Sequence, residues 1–159
     1  MIVGEVAGDQ EDRTGVPFTG PAGKLLDQTL SRIGIDRSDV YLTNAVKHFK
    51  WEARGTRRLH KKPTRTEVVA CRAWLESEIF VVRPVVIACL GATAAQTLLG
   101  REFRITRQRG ELIRSDWAPW IIATWHPAAV LRALETSTRK KMLEQLTDDL
   151  ASAARQLGT

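Results

Sequence analysis

Cysteine is scarce in this chain. Only Cys71 and Cys89 occur among 159 residues, which argues against a disulfide framework. No apolar run approaches the roughly 20 residues needed to span a bilayer. The opening, Met1-Ile2-Val3-Gly4-Glu5, lacks the basic stretch and long apolar stretch of a secretion signal, so a cytoplasmic location is expected. Internal repeats and low-complexity tracts are missing as well, which sets aside solenoid and linker architectures. Acids are outnumbered, with 18 Asp and Glu against 24 Lys and Arg, a net charge of +6. A basic surface suits a polyanion, because each phosphate neutralised releases bound counterions. The cations are concentrated: eight Lys and Arg lie between Lys47 and Arg65, together with His48 and His60 and the single acid Glu52. On charge alone, a solvated loop and a nucleic-acid contact remain equally open. What is present otherwise is ordinary: 43% hydrophobic and 26% charged residues fit one globular domain with one sizeable core.

The chain opens in a strand at Ile2-Val3-Gly4, and a segment ahead of that strand is expected. Gly20-Pro21 offers a cap with proline in the first helical turn. Leu25, Leu26, Thr29, Leu30 and Ile33 form the apolar face of the helix that follows, and Gly34 ends it. Val40–Val46 reads as a strand. The basic segment has no periodicity and is expected to be a loop of about 16 residues, long enough to suggest function. Thr64 and Glu67, three apart, make a capping box for a helix whose apolar face carries Val68, Cys71, Leu75, Ile79 and Val82. Pro84–Leu90 is a continuous apolar strand of the buried parallel type, and Gly91 turns it into a helix over Ala92–Leu99. Gly110–Arg114 and Trp120–Thr124 read as two further short strands. A last amphipathic helix is expected from about Thr138 to Leu157. Strands alternating with helices predict an α/β fold with a mainly parallel, helix-covered sheet. Ligands of such sheets bind beyond the carboxyl ends of the strands. That rule gathers the loops after Gly4, Val46, Gly91 and Thr124 at one crevice.

Those loops carry the candidate chemistry. Gly4 lets the backbone approach a ligand closely. Glu5 and Asp9 supply carboxylates that could stabilise an oxocarbenium ion or orient a nucleophile, or simply form a polar turn. Phe18, in a Gly/Pro-rich turn, could stack on a base or plug the core. Asn44 could read a heterocycle edge with its donor and acceptor, or close its own turn. His60, in Arg57-Arg58-Leu59-His60-Lys61-Lys62, sits among cations that favour its neutral, nucleophilic form. A lone loop histidine is more often a plain surface residue. His126 opens His126-Pro127-Ala128-Ala129-Val130-Leu131-Arg132, which suits a histidine facing a reacting sugar with an apolar tip filling a vacated stack. It equally suits a structural His-Pro turn.

Together these segments resemble the uracil-DNA glycosylase superfamily. Gly4-Glu5-Val6-Ala7-Gly8-Asp9 looks like its catalytic loop, Val16–Gly23 its base-stacking segment, Leu42–Lys47 its uracil-reading strand, and His126–Arg132 its closing histidine and DNA-insertion loop. The basic Arg57-Arg58-Leu59-His60 most resembles the DNA cross-linking class X, which is related to the iron–sulfur family 4 enzymes. The resemblance spans nearly the whole chain and implies a three-layer α/β/α sandwich around a central, mainly parallel four-stranded sheet.

It also implies roles. Glu5, Asp9, His60 and His126 would be catalytic, with Gly4, Phe18 and Asn44 binding the base. Arg57, Arg58, Lys61, Val130, Leu131 and Arg132 would contact DNA. The substrate would be uracil-containing DNA, single strands preferred, and His60 would attack C1′ of the sugar and leave a monomeric protein attached to the abasic site. A four-iron, four-sulfur cluster is implied, with His48 and Cys71 at two ligand positions and two cysteines in a segment ahead of the first strand. Class X expects Gln and Pro after the glutamate, where Val6 and Ala7 stand, and loss of that amide would weaken the positioning of His60 or of the base. A conventional hydrolytic glycosylase, a non-catalytic DNA-binding module and a metal-dependent phosphoesterase using Glu5, Asp9 and Asp12 are the competing readings.

Overall fold

A computed structural model describes residues 1–158. The chain runs β1 (Ile2–Val6), α1 (Asp9–Thr14), α2 (Pro21–Arg32), β2 (Leu42–Val46), β3 (Trp51–Arg54), β4 (Arg57–His60), α3 (Arg65–Val82), β5 (Val86–Leu90), α4 (Ala92–Leu99), α5 (Ile105–Gln108), β6 (Trp120–Thr124), α6 (Pro127–Arg132) and α7 (Thr136–Ala154). The central sheet has the order β2-β1-β5-β6, and all its pairs are parallel. The expected three-layer α/β sandwich is therefore the one observed.

Period-two alternation along the buried strands divides the core between two faces. Val3, Ile87, Cys89, Ile121 and Ala123 face α3 and α4, where Leu75, Ile79, Ala94, Ala95 and Leu98 cover them. Ile2, Ala88, Leu90 and Ile122 face α2 and α7, under Leu26, Leu30, Leu146 and Leu150. Each fully buried aliphatic side chain contributes about 1.5–3 kcal/mol, so both helical layers are held chiefly by these contacts. From β1 the chain moves outward to β2, then returns to β5 on the other side of β1. The strand order thus reverses between β1 and β5, which opens a crevice at their carboxyl ends.

Several expectations require correction. The basic segment is not a plain loop: Trp51–Arg54 pairs antiparallel with Arg57–His60 across Gly55-Thr56, with Gly55 in the left-handed region at φ 61°. Dense charge hid the hairpin, because both strands are largely exposed and show no buried face. Gly110–Arg114 is not a strand. It meets β6 at one antiparallel bridge, Ile113 with Ile121, and the sheet ends there. The loops after Gly8 and His126 each wind into a six-residue helix. The last helix spans Thr136–Ala154. Among the described residues, no helix is long and apolar enough to cross a membrane.

Candidate active site

The crevice begins where β1 passes β2. Gly4 pairs with Asn44 in register. A side-chain carbon at Gly4 would collide with Asn44 Oδ1 and lie 2.6 Å from Phe18 Cζ. Only glycine lets these two side chains close over the strand end. Phe18 is buried and holds a left-handed backbone at φ 57°, a conformation that costs a non-glycine residue energy and persists where its surroundings enforce it. Arg37 supplies that enforcement: it donates to the carbonyls of Pro17 at 2.6 Å and Phe18 at 3.1 Å while paired with Asp27 at 2.6 Å. Gly23 sits flush against the Phe18 backbone, where any Cβ would clash. Asn44 is 7% exposed and its amide makes no side-chain hydrogen bond among the described residues. Its amide lines the cavity, where it can offer both a donor and an acceptor.

Glu5 leaves β1 toward the same cavity and accepts a hydrogen bond from Thr93 Oγ1 on α4. Glu11 accepts from the Gly20 N–H at 2.9 Å and so ties the Phe18 turn to α1. Neither Thr93, Glu11 nor Arg37 carries a local sequence signal. Each acts through a partner in another element or turn, Glu11 nine residues away, Arg37 nineteen and twenty, and Thr93 eighty-eight.

His126 ends β6 and caps α6. Its Nδ1 accepts from the Ala128 N–H at 3.1 Å. In the neutral ring this leaves the proton on Nε2. Burial pushes the His126 pKa down to about 4. The Glu5 carboxylate opposes this shift, and the charges of Arg132 and His60 add to it. At neutral pH the ring is thus an uncharged Nε2–H donor. It stacks obliquely near Phe18, the ring centres 6.1 Å apart.

His60 closes the other side. It ends β4, opposite Trp51 in the hairpin, and stacks near Phe49 with centroids 6.1 Å apart. Glu5, Phe18, Asn44, His60, His126 and Arg132 line one cavity of about 630 Å³. A wider groove of about 1110 Å³ lies beside the end of α3, lined by Phe80, Val85 and Trp117 among others. It holds no histidine and none of the candidate groups.

Two expected DNA contacts, Val130 and Arg58, look different in the fold. Val130 is 1% exposed and packs in the α2–α7 core rather than standing at the surface. The second helical layer needs it. Leu131 is exposed, and Leu134, which the motif does not mark, is 97% exposed. Arg58 is turned inward and paired with Asp9 and Asp12 rather than held out for phosphates. Arg57 and Lys61 are exposed, Lys61 beside Glu52 at 2.6 Å. Asp9 is likewise engaged, with Arg13 and Arg58. Desolvation works against its ionised form, but hydrogen bonds and charge from the two arginines outweigh this and hold its carboxyl below the ordinary value.

The implied cluster ligands His48 and Cys71 do meet, with Nδ1 and Sγ 3.9 Å apart. A cluster of this kind needs four ligands. Among the described residues, no group of three or more His, Cys, Asp or Glu could hold a metal. These residues alone do not fit the group. Cys89 is fully buried, which pushes its thiol up to about 12, and it belongs to the core. Among the described residues, Glu5, Asp9 and Asp12 do not form such a group either.

The cavity is thus suited to a flat heterocycle held by an aromatic ring and an amide, with a neutral imidazole donor, a carboxylate and a second imidazole around the atom that reacts. The family described as the uracil DNA glycosylase superfamily matches residues 1–151. A Type-4 uracil-DNA glycosylase of Thermotoga maritima is 39% identical over 149 residues, covering 92% of this chain and 73% of the relative. One from Archaeoglobus fulgidus is 41% identical over 138 residues, covering 82% and 66%. A Type-5 uracil-DNA glycosylase of Pyrobaculum aerophilum is 29% identical over 175 aligned residues, covering 99% and 72%. The chain therefore spans about two thirds to three quarters of the length of these relatives.

Proposed function

This chain belongs to the uracil-DNA glycosylase superfamily, and on that premise we propose that it excises uracil from DNA and is then captured on the abasic sugar through His60. The family and its Type-4 relatives support the glycosylase activity. Capture, and with it single turnover and the class X assignment, rests on one observation: His60 lines the same cavity as Glu5 and His126.

Flipping a uridine out of DNA costs a few kcal/mol and costs least in a single strand, so single-stranded DNA is the preferred substrate in this reading. Phe18 receives the base, a contact worth about 1–3 kcal/mol for stacking. The Asn44 amide meets the donor and acceptor of the uracil edge. The His126 Nε2–H donates to the uracil oxygen on which charge builds as the C1′–N1 bond breaks. A preorganised neutral donor serves there without itself giving up a proton. The bonding pair leaves with uracil, and an oxocarbenium ion remains at C1′. Glu5, fixed by Thr93, stabilises that charge. The lone pair of neutral His60 then forms the new bond to C1′. The proton on its other nitrogen passes to Glu5 or solvent, leaving a neutral substituted imidazole. No water is consumed, and the protein stays attached.

The Type-4 relatives favour a second outcome, in which water takes the place of His60 and the enzyme turns over. The two separate on a denaturing gel of the protein mixed with a labelled, single-uracil oligonucleotide. A heat-stable, slow-migrating band from the parent that is lost in His60→Ala is the expected result. Free abasic product from both proteins, with no such band, would leave only the hydrolytic reading. Retention of DNA binding without uracil release, unchanged in His126→Ala and Glu5→Gln, would point to a non-catalytic module.

A further inference from the structure

We propose that Arg58 is a positioning residue: a latch that fixes the β3–β4 hairpin to α1 and braces the ring against which His60 rests. The proposal builds on the reading of His60 as the capturing nucleophile.

The hairpin joins no other sheet, and a two-stranded hairpin alone is marginally stable in water. Its pose is therefore set by what ties it to the body. At its base, Lys50 pairs with Glu67 of α3 at 2.9 Å. Farther out, the tie is Arg58. Its Nε donates to Asp9 Oδ1 at 2.5 Å and its Nη1 to Asp12 Oδ2 at 2.9 Å. The same guanidinium lies 5.1 Å from the Phe49 ring centre and 5.3 Å from that of Trp51, within cation–π range.

Strand geometry explains why Arg58 and not Arg57. Side chains alternate along a strand, so Arg58 and His60 share one face of β4 while Arg57 points the other way. Trp51, the register partner of His60, belongs to that same face. Phe49, 7% exposed, is flanked by Arg58 and His60. Arg58 therefore acts on the nucleophile through Phe49 and through the strand itself. Its charge is already met by two carboxylates, which makes it a poor phosphate ligand.

The test compares the parent with Arg58→Ala, Arg58→Lys and Asp12→Asn on a single-uracil oligonucleotide. Uracil release and covalent adduct are measured in the same single-turnover reaction. Loss of the latch should lower the adduct-to-free-abasic ratio by about tenfold in Arg58→Ala, the weight of one charge-assisted contact, with a smaller drop in Asp12→Asn and partial rescue in Arg58→Lys. Uracil release should continue. A parent-like ratio in Arg58→Ala, or equal losses of release, adduct and DNA affinity, overturns the latch. If the parent forms no adduct, the His60 reading fails instead, and limited trypsin digestion then decides the latch. Cleavage at Arg54 and Arg57 should quicken in Asp12→Asn, which keeps every cleavage site, and an unchanged rate overturns the latch on its own.

Discussion

His126 joins two consequences of a single burial. In the unfolded chain a histidine takes its proton near pH 6.5, but here it does so only at about 4. The stability tied to its neutral form is complete above pH 6.5. It drains away as pH falls from 6.5 toward 4, by about 3 kcal/mol across the window. Urea unfolding at pH 7 and pH 4.5 should show that loss in the parent and less of it in His126→Gln, and parallel losses in both proteins would count against the assignment. In the reaction, uracil release should keep its rate down to about pH 5 and fail as the ring acquires its charge near 4. Gly4 is the other residue where one atom decides the outcome. Gly4→Ala drives a methyl group into Asn44 and Phe18. Misplacing either by about 1 Å should cost about 10²-fold in uracil release, with the circular dichroism spectrum unchanged. A near-parent rate would mean that the base does not bind between them.

Among the elements, α3 shows how local sequence and distant contact cooperate. Thr64 Oγ1 accepts from the Glu67 N–H, and Glu67 reaches back to the Thr64 N–H at 2.6 Å. The same carboxylate holds Lys50 at 2.9 Å, and these bonds, Lys50 first, lower the Glu67 pKa to about 2. Thr64→Ala should cost about 1 kcal/mol of stability from the lost cap, read as a lower urea midpoint at constant slope. It should also loosen the foot of the hairpin. The capping box was legible in the sequence because all its groups lie within four residues. The hairpin was not: its strands bury no apolar face, and what ties it to the body is Arg58 reaching back 49 residues to Asp9.

For the molecule as a whole, the seam between the sheet edge and the last helix rests on Asp149. It is buried, accepts from Thr124 Oγ1 at 2.5 Å and pairs with Arg109 at 2.5 Å. Asp149→Ala would leave Arg109 and Thr124 without their acceptor and should cost about 3–5 kcal/mol, as a drop in unfolding free energy far from the crevice. A loss under about 1 kcal/mol would mean that water replaces the carboxylate readily. The net charge of +6 also predicts DNA affinity that falls steeply with salt, whichever fate the abasic sugar meets.

The residues by themselves determined the α/β class, the strands β1, β2 and β6, the buried parallel strand β5, the helix starts at Pro21 and Arg65, and the four loops that meet at one crevice. Those features rest on periodicity, caps and turn chemistry, which act over a few residues. Tertiary structure alone decided the rest. It buried Val130 in the core, turned Arg58 inward, set Thr93 on Glu5, and held Phe18 in a strained turn through Arg37. Each of these depends on which distant backbone or charge arrives alongside, and no window of local sequence contains that partner.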